Sequence, residues 1–419
     1  MKNRKINISI TAFFLLVSII INLSGCALPI SAENLMDGVA ARNVTPLDDL
    51  SSHNAAVTDF AVRLLGATEK SGKNTLISPV SVIAALAMTA NGASGDTLSE
   101  MEQVFGTTSD ELNLYLYTYL NSLSNGDKYK LSVANSIWFT DDDKLTVNKA
   151  FLQKNADYYG AEIYKTPFNN QTKRDINSWV KKETDGMIPK IIDSVPNDAI
   201  MYLINTLAFE AEWQSIYERY QVRDGIFTKE DGTEQNAEFM YGGEGSYLYD
   251  DMASGFIKYY NGRKYAFAAL LPNEGVSVSE YISSLDGEKL HMMLTNPTYT
   301  TVNTAIPKFK TEYEVEMSEI LSDMGMPLAF DVYSADFSNL GSYEENNIYI
   351  GRVLHKTYIE VAERGTKAGA VTVVEMKAGS AAPPDEPKEV YLDRPFVYMI
   401  IDCENKIPLF IGTMNDIQK

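Results

Sequence analysis

The chain has 419 residues, 45% of them hydrophobic and 22% charged, an ordinary globular composition with ample apolar material for a large core. The formal net charge is −20, and the acid excess is spread along the chain. No basic cluster follows the first few residues, so a nucleic-acid partner is disfavoured. Two cysteines (Cys26 and Cys403) and three scattered histidines (His53, His291 and His355) exclude a disulfide framework and point to no metal site or cofactor.

Lys2, Arg4 and Lys5 precede an apolar run from Ile10 to Ile21, which ends at Leu23-Ser-Gly-Cys26. A basic start, a short apolar stretch and small residues before a cleavage point make an export signal over residues 1–25. The run is too short for a comfortable membrane span. Leu-Ser-Gly-Cys resembles the lipobox of bacterial lipoproteins, which implies lipidation of Cys26 and anchoring at the outer side of the cell membrane. Removing residues 1–25 takes away three basic and no acidic residues, leaving a charge near −23. Residues 26–50 lack periodicity and contain Pro29, Pro46 and Asp48-Asp49, so they are expected to form a flexible tether.

Residues 51–419 are expected to form one large domain, without internal repeats or a long linker. Val57, Phe60, Ala61, Leu64 and Leu65 recur at helical spacing. Ser78-Pro79 supplies a cap and a first-turn proline for a second helix, whose apolar body from Val80 to Ala90 requires burial. A third helix is expected from about Asp96 to Gly106, and another around Trp179. Later in the chain, Tyr265-Ala-Phe-Ala-Ala-Leu-Leu271, Phe396-Val-Tyr-Met-Ile-Ile401 and Ile407-Pro-Leu-Phe-Ile411 read as buried strands. Helices early and strands late indicate an α+β fold with large, mainly antiparallel sheets.

The sequence carries no active-site pattern of its own. Gly92-Ala-Ser-Gly95 has the wrong spacing for a nucleophile elbow, and no His-Glu-x-x-His, Cys-x-x-Cys or phosphate loop is present. Asp141-Asp-Asp143 reads as a solvated turn rather than a calcium loop. The informative stretch is Glu363 to Pro395. At period two, Thr366, Ala368, Ala370, Thr372, Val374 and Met376 share one small or apolar face. Lys367, Gly369, Val371, Val373, Glu375 and Lys377 share the other, which holds every charge. The segment then runs into a Pro-rich stretch typical of exposed loops. It can serve as a strand with one buried face or as a loop; an ordinary hairpin strand followed by a long loop fits the alternation equally.

Eight further patterns occur in order over more than 300 residues. They are Asn74-Thr-Leu-Ile-Ser-Pro-Val-Ser81; Asn177-Ser-Trp179 with Thr184-Asp-Gly186; Asn205-Thr-Leu-Ala-Phe-Glu-Ala-Glu-Trp213; Ile306-Pro-Lys-Phe309; Gly325-Met326 with Ala335-Asp-Phe-Ser338; His355-Lys-Thr-Tyr-Ile-Glu-Val361; the hinge Gly365-Thr366; and Asp393-Arg-Pro-Phe396. In these the chain resembles the serpin family of protease inhibitors along nearly its whole mature length. The resemblance implies a serpin-like single domain with a helical first half and an exposed reactive loop over about 363–392. It also implies a suicide mechanism: a serine (or cysteine) protease cleaves the loop, and the loop inserts into the main sheet while the acyl-enzyme is still attached. As strand, the stretch from Thr366 to Gly379 spans roughly 45 Å, enough to drag and distort the bound protease. The inhibitor supplies no catalytic residue, so it is not an enzyme, and a monomer is expected.

By the same resemblance, Ser78, Ser81, Asn205 and His355 mark the region where the sheet parts, and Trp213 the end where the loop comes in. Glu363, Gly365, Thr366, Ala368, Ala370 and Thr372 form the hinge. Family spacing from Thr366 puts the reactive bond at Gly379-Ser380; slipped registers are Ala378-Gly379 and Met376-Lys377. Small residues at 378–380 favour a subtilisin- or elastase-like target, whereas Lys377 favours a trypsin-like one. Arg364 and Lys367 stand where the family usually has acidic residues, and Gly369 where it has Ala. The alternative function is a non-inhibitory serpin-fold binding module.

Overall fold

The computed structural model describes residues 30–70, 72–195, 200–344, 347–366 and 386–417. The export signal, Cys26 and the loop residues Ala368, Ala370, Thr372, Gly379 and Ser380 lie outside the described residues.

The helix Pro79–Ala90 sits at the centre of the molecule. The Ser78 side chain accepts from the Ser81 N–H, Pro79 occupies the first turn, and every residue of the helix is buried. Its short side chains let three layers meet there. It packs on the strands Tyr129–Thr140 and Met201–Glu212 of the main sheet and on Pro408–Met414 of the second sheet. The helices Ser51–Thr68, Gly95–Phe105 and Ser109–Ser122 surround it.

Among the described residues the main sheet has seven strands, in the order Glu33–Asn34, Glu162–Thr166, Tyr129–Thr140, Met201–Glu212, Gly365–Thr366, Arg352–Ala362 and Phe309–Glu316. The second sheet, of nine described strands, contains the expected strands as neighbours: Tyr265–Pro272, Phe396–Asp402 and Pro408–Met414. The last two are buried at every position, as is Tyr265–Pro272, which is why they read as unbroken apolar runs. Apolar side chains from both sheets and the central helix share one large core. A smaller cluster of Trp138, Tyr164, Ile176, Trp179, Tyr202, Ile204 and Leu354 lies on the opposite face of the main sheet, under the helix Asn170–Glu183.

Two features differ from the sequence expectation. The helical first half also contributes the two twelve-residue strands Tyr129–Thr140 and Met201–Glu212. Met201–Glu212 is covered on both faces, as is the part of Tyr129–Thr140 from Ser136 to Phe139, so their alternation is weak. Residues 30–50 are not a free tether. Glu33–Asn34 pairs antiparallel with Tyr164 and Lys165, the Ser31 hydroxyl donates to Asp175 (2.8 Å), and the Leu47 N–H donates to the Thr118 hydroxyl (2.9 Å). Leu35, Met36, Val39, Leu47 and Leu50 pack on the core. These apolar residues are irregularly spaced because they dock on an existing surface rather than form one face of a helix. Asp141-Asp-Asp143 is a turn between Tyr129–Thr140 and Leu145–Val147, in which Asp142 accepts from the Lys144 N–H (2.9 Å).

Leu86 is fully buried in the central helix. Leu86→Ala is expected to lower the unfolding free energy by about 2–5 kcal/mol. The change should appear as a lower urea midpoint with unchanged slope.

Candidate functional site at the mouth of the main sheet

The two central strands of the main sheet run parallel and are paired directly from Arg352 opposite Tyr202 to Lys356 opposite Thr206. Beyond that point they part. Among the described residues, Leu207 to Glu210 keep ladder partners only toward Tyr129–Thr140, and Thr357 to Glu360 only toward Phe309–Glu316. At the far end Gly365–Thr366 fills the gap, with Gly365 opposite Glu212 and Ala362 and Thr366 opposite Ala211 and Val361. The main sheet therefore has an internal slot one strand wide, with its first two rungs occupied.

The upper end is held by the residues after the Met201–Glu212 strand. The Trp213 N–H donates to the Arg364 carbonyl, the indole Nε1–H to the Ala362 carbonyl (both 2.8 Å), and the Tyr217 N–H to the Glu363 carbonyl (2.9 Å). Two ion pairs straddle the slot: Glu363 with Lys308 at 2.8 Å on one bank, and Arg364 with Glu212 at 3.4 Å on the other. Thr366 is fully buried, and its hydroxyl meets that of Tyr260 at 2.5 Å. Tyr260 is stacked on Trp213, with ring centroids 4.3 Å apart. Behind this stack the buried Lys258 ammonium lies 4.3 Å from the Tyr217 ring centre and 2.9 Å from Glu244. Burial raises the Glu244 carboxyl above its ordinary value, against the opposing pull of Lys258. Gly365 has φ of 149°, and a Cβ there would come within 1.9 Å of the Ala211 carbonyl oxygen. Only glycine fits this rung.

The lower end is polar and sealed. The Ser78 N–H donates to His355 Nε2 at 3.0 Å, so that nitrogen carries no proton. Nδ1 then holds the proton and donates to the Asn205 side-chain oxygen. Ser81 Oγ donates to the Thr206 carbonyl (3.4 Å), and Thr357 Oγ1 to the Leu76 carbonyl (2.7 Å). These bonds tie both central strands to the helix Pro79–Ala90 and the segment before it. Among the described residues the Asn205 Nδ2 group is buried without a partner. That donor marks the place where polar satisfaction is incomplete in the closed sheet.

The structure thus brings Ser78, Ser81, Asn205 and His355 together at one end of the slot, and Trp213, Glu363, Gly365 and Thr366 at the other. Sequence reasoning missed Tyr260, Tyr217 and Lys258. Glu212 and Lys308 lay inside recognised patterns without a role being assigned to them, but nothing in the sequence pointed to the tyrosines, whose roles come only from stacking on Trp213 or docking beside the turn.

Burial drives the His355 imidazole from its ordinary 6.5 down to about 3. Between these values the unfolded chain binds a proton that the folded chain refuses. The stability held by the neutral ring is therefore complete above pH 6.5 and is lost as pH falls toward 3. Wild type is expected to lose up to about 1.4 kcal/mol per pH unit in this window relative to His355→Gln, one proton's worth. Parallel stability curves for the two proteins would show that His355 does not carry this dependence.

Comparison with known proteins agrees with this arrangement. The family model described as "Serpin (serine protease inhibitor)" matches residues 55–417. A serpin-like protein of Thermococcus kodakarensis is 30% identical over 366 residues, covering 86% of this chain and 84% of the relative. Serpin-ZXA of Oryza sativa is 27% identical over 392 residues, covering 87% and 97%. Among solved structures, the thermophilic serpin Tengpin in its native state has a TM-score of 0.88 and 45% identity, covering 92% of this chain and 99% of that one. Tengpin in its latent state has a TM-score of 0.77 and 43% identity, covering 90% and 100%. With a family match over most of its length and a slotted main sheet, the chain belongs to the serpin family.

Proposed function

We propose that this serpin is a covalent trap for an extracellular serine protease of the subtilisin- or elastase-like kind, cleaving at Gly379-Ser380. The observation that carries the reading is the slot with Gly365–Thr366 already seated in it. The protease's serine oxygen would attack the Gly379 carbonyl and form an ester, and the Ser380 amine would leave with a proton. The chain ending at Gly379 is then free to continue from Thr366 down the slot. Each step satisfies backbone groups on both banks and buries the small face of Ala368, Ala370 and Thr372. About ten new ladder hydrogen bonds at roughly 1 kcal/mol net each rival the whole stability margin of a typical domain. That is enough to pull an attached protease out of its catalytic geometry. The closer match to the native than to the latent Tengpin structure supports a state in which this step is still to come.

In the cell, the Leu23-Ser-Gly-Cys26 pattern supports export and lipid anchoring through Cys26. Cys26→Ser is expected to move the protein from the membrane fraction to the soluble fraction of cells that express the full chain.

The trap is tested by mixing the purified domain with subtilisin-, elastase- and trypsin-like proteases and running denaturing gels. A complex that survives denaturation, with a released peptide beginning at Ser380, is the expected result. Cleavage with no complex and a fully active protease would leave a serpin fold used for binding alone. In the same assay Gly365→Ala should turn the inhibitor into a substrate, because a Cβ within 1.9 Å of the Ala211 carbonyl oxygen forbids the first rung. At least a tenfold fall in the ratio of trapped to released protease is expected, a barrier change of about 1.4 kcal/mol or more.

A further inference from the structure

The register of the seated hinge determines where each later residue would fall, and the charges already on the banks respond to it. Gly365 lies opposite Glu212 and Ala362, and Thr366 opposite Ala211 and Val361. Both ladders are antiparallel to the hinge, so the next position, 367, falls between Glu210 and Glu360. On the outer sides of those two residues, Lys130 is opposite Glu210 and Lys310 is opposite Glu360. Directly opposed residues share a face of the sheet. Among the described residues the row therefore reads Lys130, Glu210, Glu360, Lys310, with the width of one strand between the two carboxylates, on the face away from the buried Thr366.

We propose that Glu210 and Glu360 are positioning residues that receive Lys367 as the loop inserts, completing a row of alternating charge across five strands. The proposal rests on the insertion reading above and adds its register and its electrostatics. The occupant is this chain's own segment, which continues directly from the seated Thr366. Charge complementarity selects it: a lysine there meets a carboxylate on each bank, whereas an acidic residue would make three carboxylates in succession. The same register puts Glu375 between Tyr202 and Arg352, so the second charge of the loop's outer face also meets an opposite charge. The departure of Lys367 from the acidic residue usual in the family is thus matched to the banks of this particular sheet.

The test uses the exported domain with its loop nicked by a non-target protease, and separately with a trapped target protease. Insertion in wild type should raise the melting temperature of the nicked monomer. Lys367→Glu, a change in the loop, should reduce that rise and lower the ratio of trapped to released protease roughly three- to tenfold, the product of two cross-strand pairs turned from attraction to repulsion. The loss should shrink at high salt. It should also disappear when Lys367→Glu is placed in a Glu210→Gln, Glu360→Gln background. If nicked wild type gains no thermal stability, the insertion reading itself fails. If wild type gains it and Lys367→Glu matches wild type in both assays, or the loss persists in the Gln background, the charge row is wrong. Oligomers formed on nicking would mean that a second copy fills the slot, which also overturns the proposal.

Discussion

A sheet is held together by backbone hydrogen bonds on both sides of each inner strand, and among the described residues the main sheet of this serpin leaves that condition unmet along one internal line. From Leu207 to Glu210 and from Thr357 to Glu360 the two central strands have ladder partners on their outer sides only. An unpaired edge inside a domain is costly, because buried peptide groups need partners. It is also a template for one strand of the right width. The remaining features of the site either hold this line apart or keep it from closing wrongly.

The two ends do so by different physics. At the lower end the strands meet directly, and a small buried polar set fastens them to the central helix through Ser78, Ser81, Asn205 and His355. A set of this kind is specific but fragile, since each member depends on the others for its partner. The imidazole must stay neutral to accept from Ser78, and burial keeps it so. At the upper end the hold is broader. Stacked rings of Trp213 and Tyr260 form a wall against which Thr366 is seated, while the ion pairs of Glu363 and Arg364 reach to opposite banks. These pairs are partly exposed, so they orient the turn more than they stabilise it. The result is a mouth firmly propped at the top and a lower seam that depends on few bonds.

The sequence made some of this legible and hid the rest for physical reasons. Ser78-Pro79 and the apolar run behind it announced the central helix, since capping and full burial leave local marks. Strands of the second sheet were visible as short apolar runs for the same reason. Residues 30–50 were misread because a segment that docks on a finished surface needs no periodicity of its own. The polar seam and Trp213 were found through recurring family patterns rather than through chemistry visible in one dimension. Tyr260 and Lys258 left no trace, and Glu212 stood in a recognised pattern without a visible role, because each matters through neighbours far away in the chain.

The slot also bears on the proposed trap, in which the work of the serpin would be mechanical. In the proposed trap the chemistry is left to the protease, and the serpin would contribute a race between hydrolysis of the ester and completion of the sheet. The winning margin depends on how quickly the first few rungs form, since later rungs follow a strand already in register. That places the greatest demand on the residues next to Thr366. The inward side must be small enough to pass Phe209, Leu207 and Ile359, and the outward side must suit Glu210 and Glu360. Alanines on one side and a lysine on the other meet both demands. On the proposed register, the hinge composition would follow from the two strands it joins.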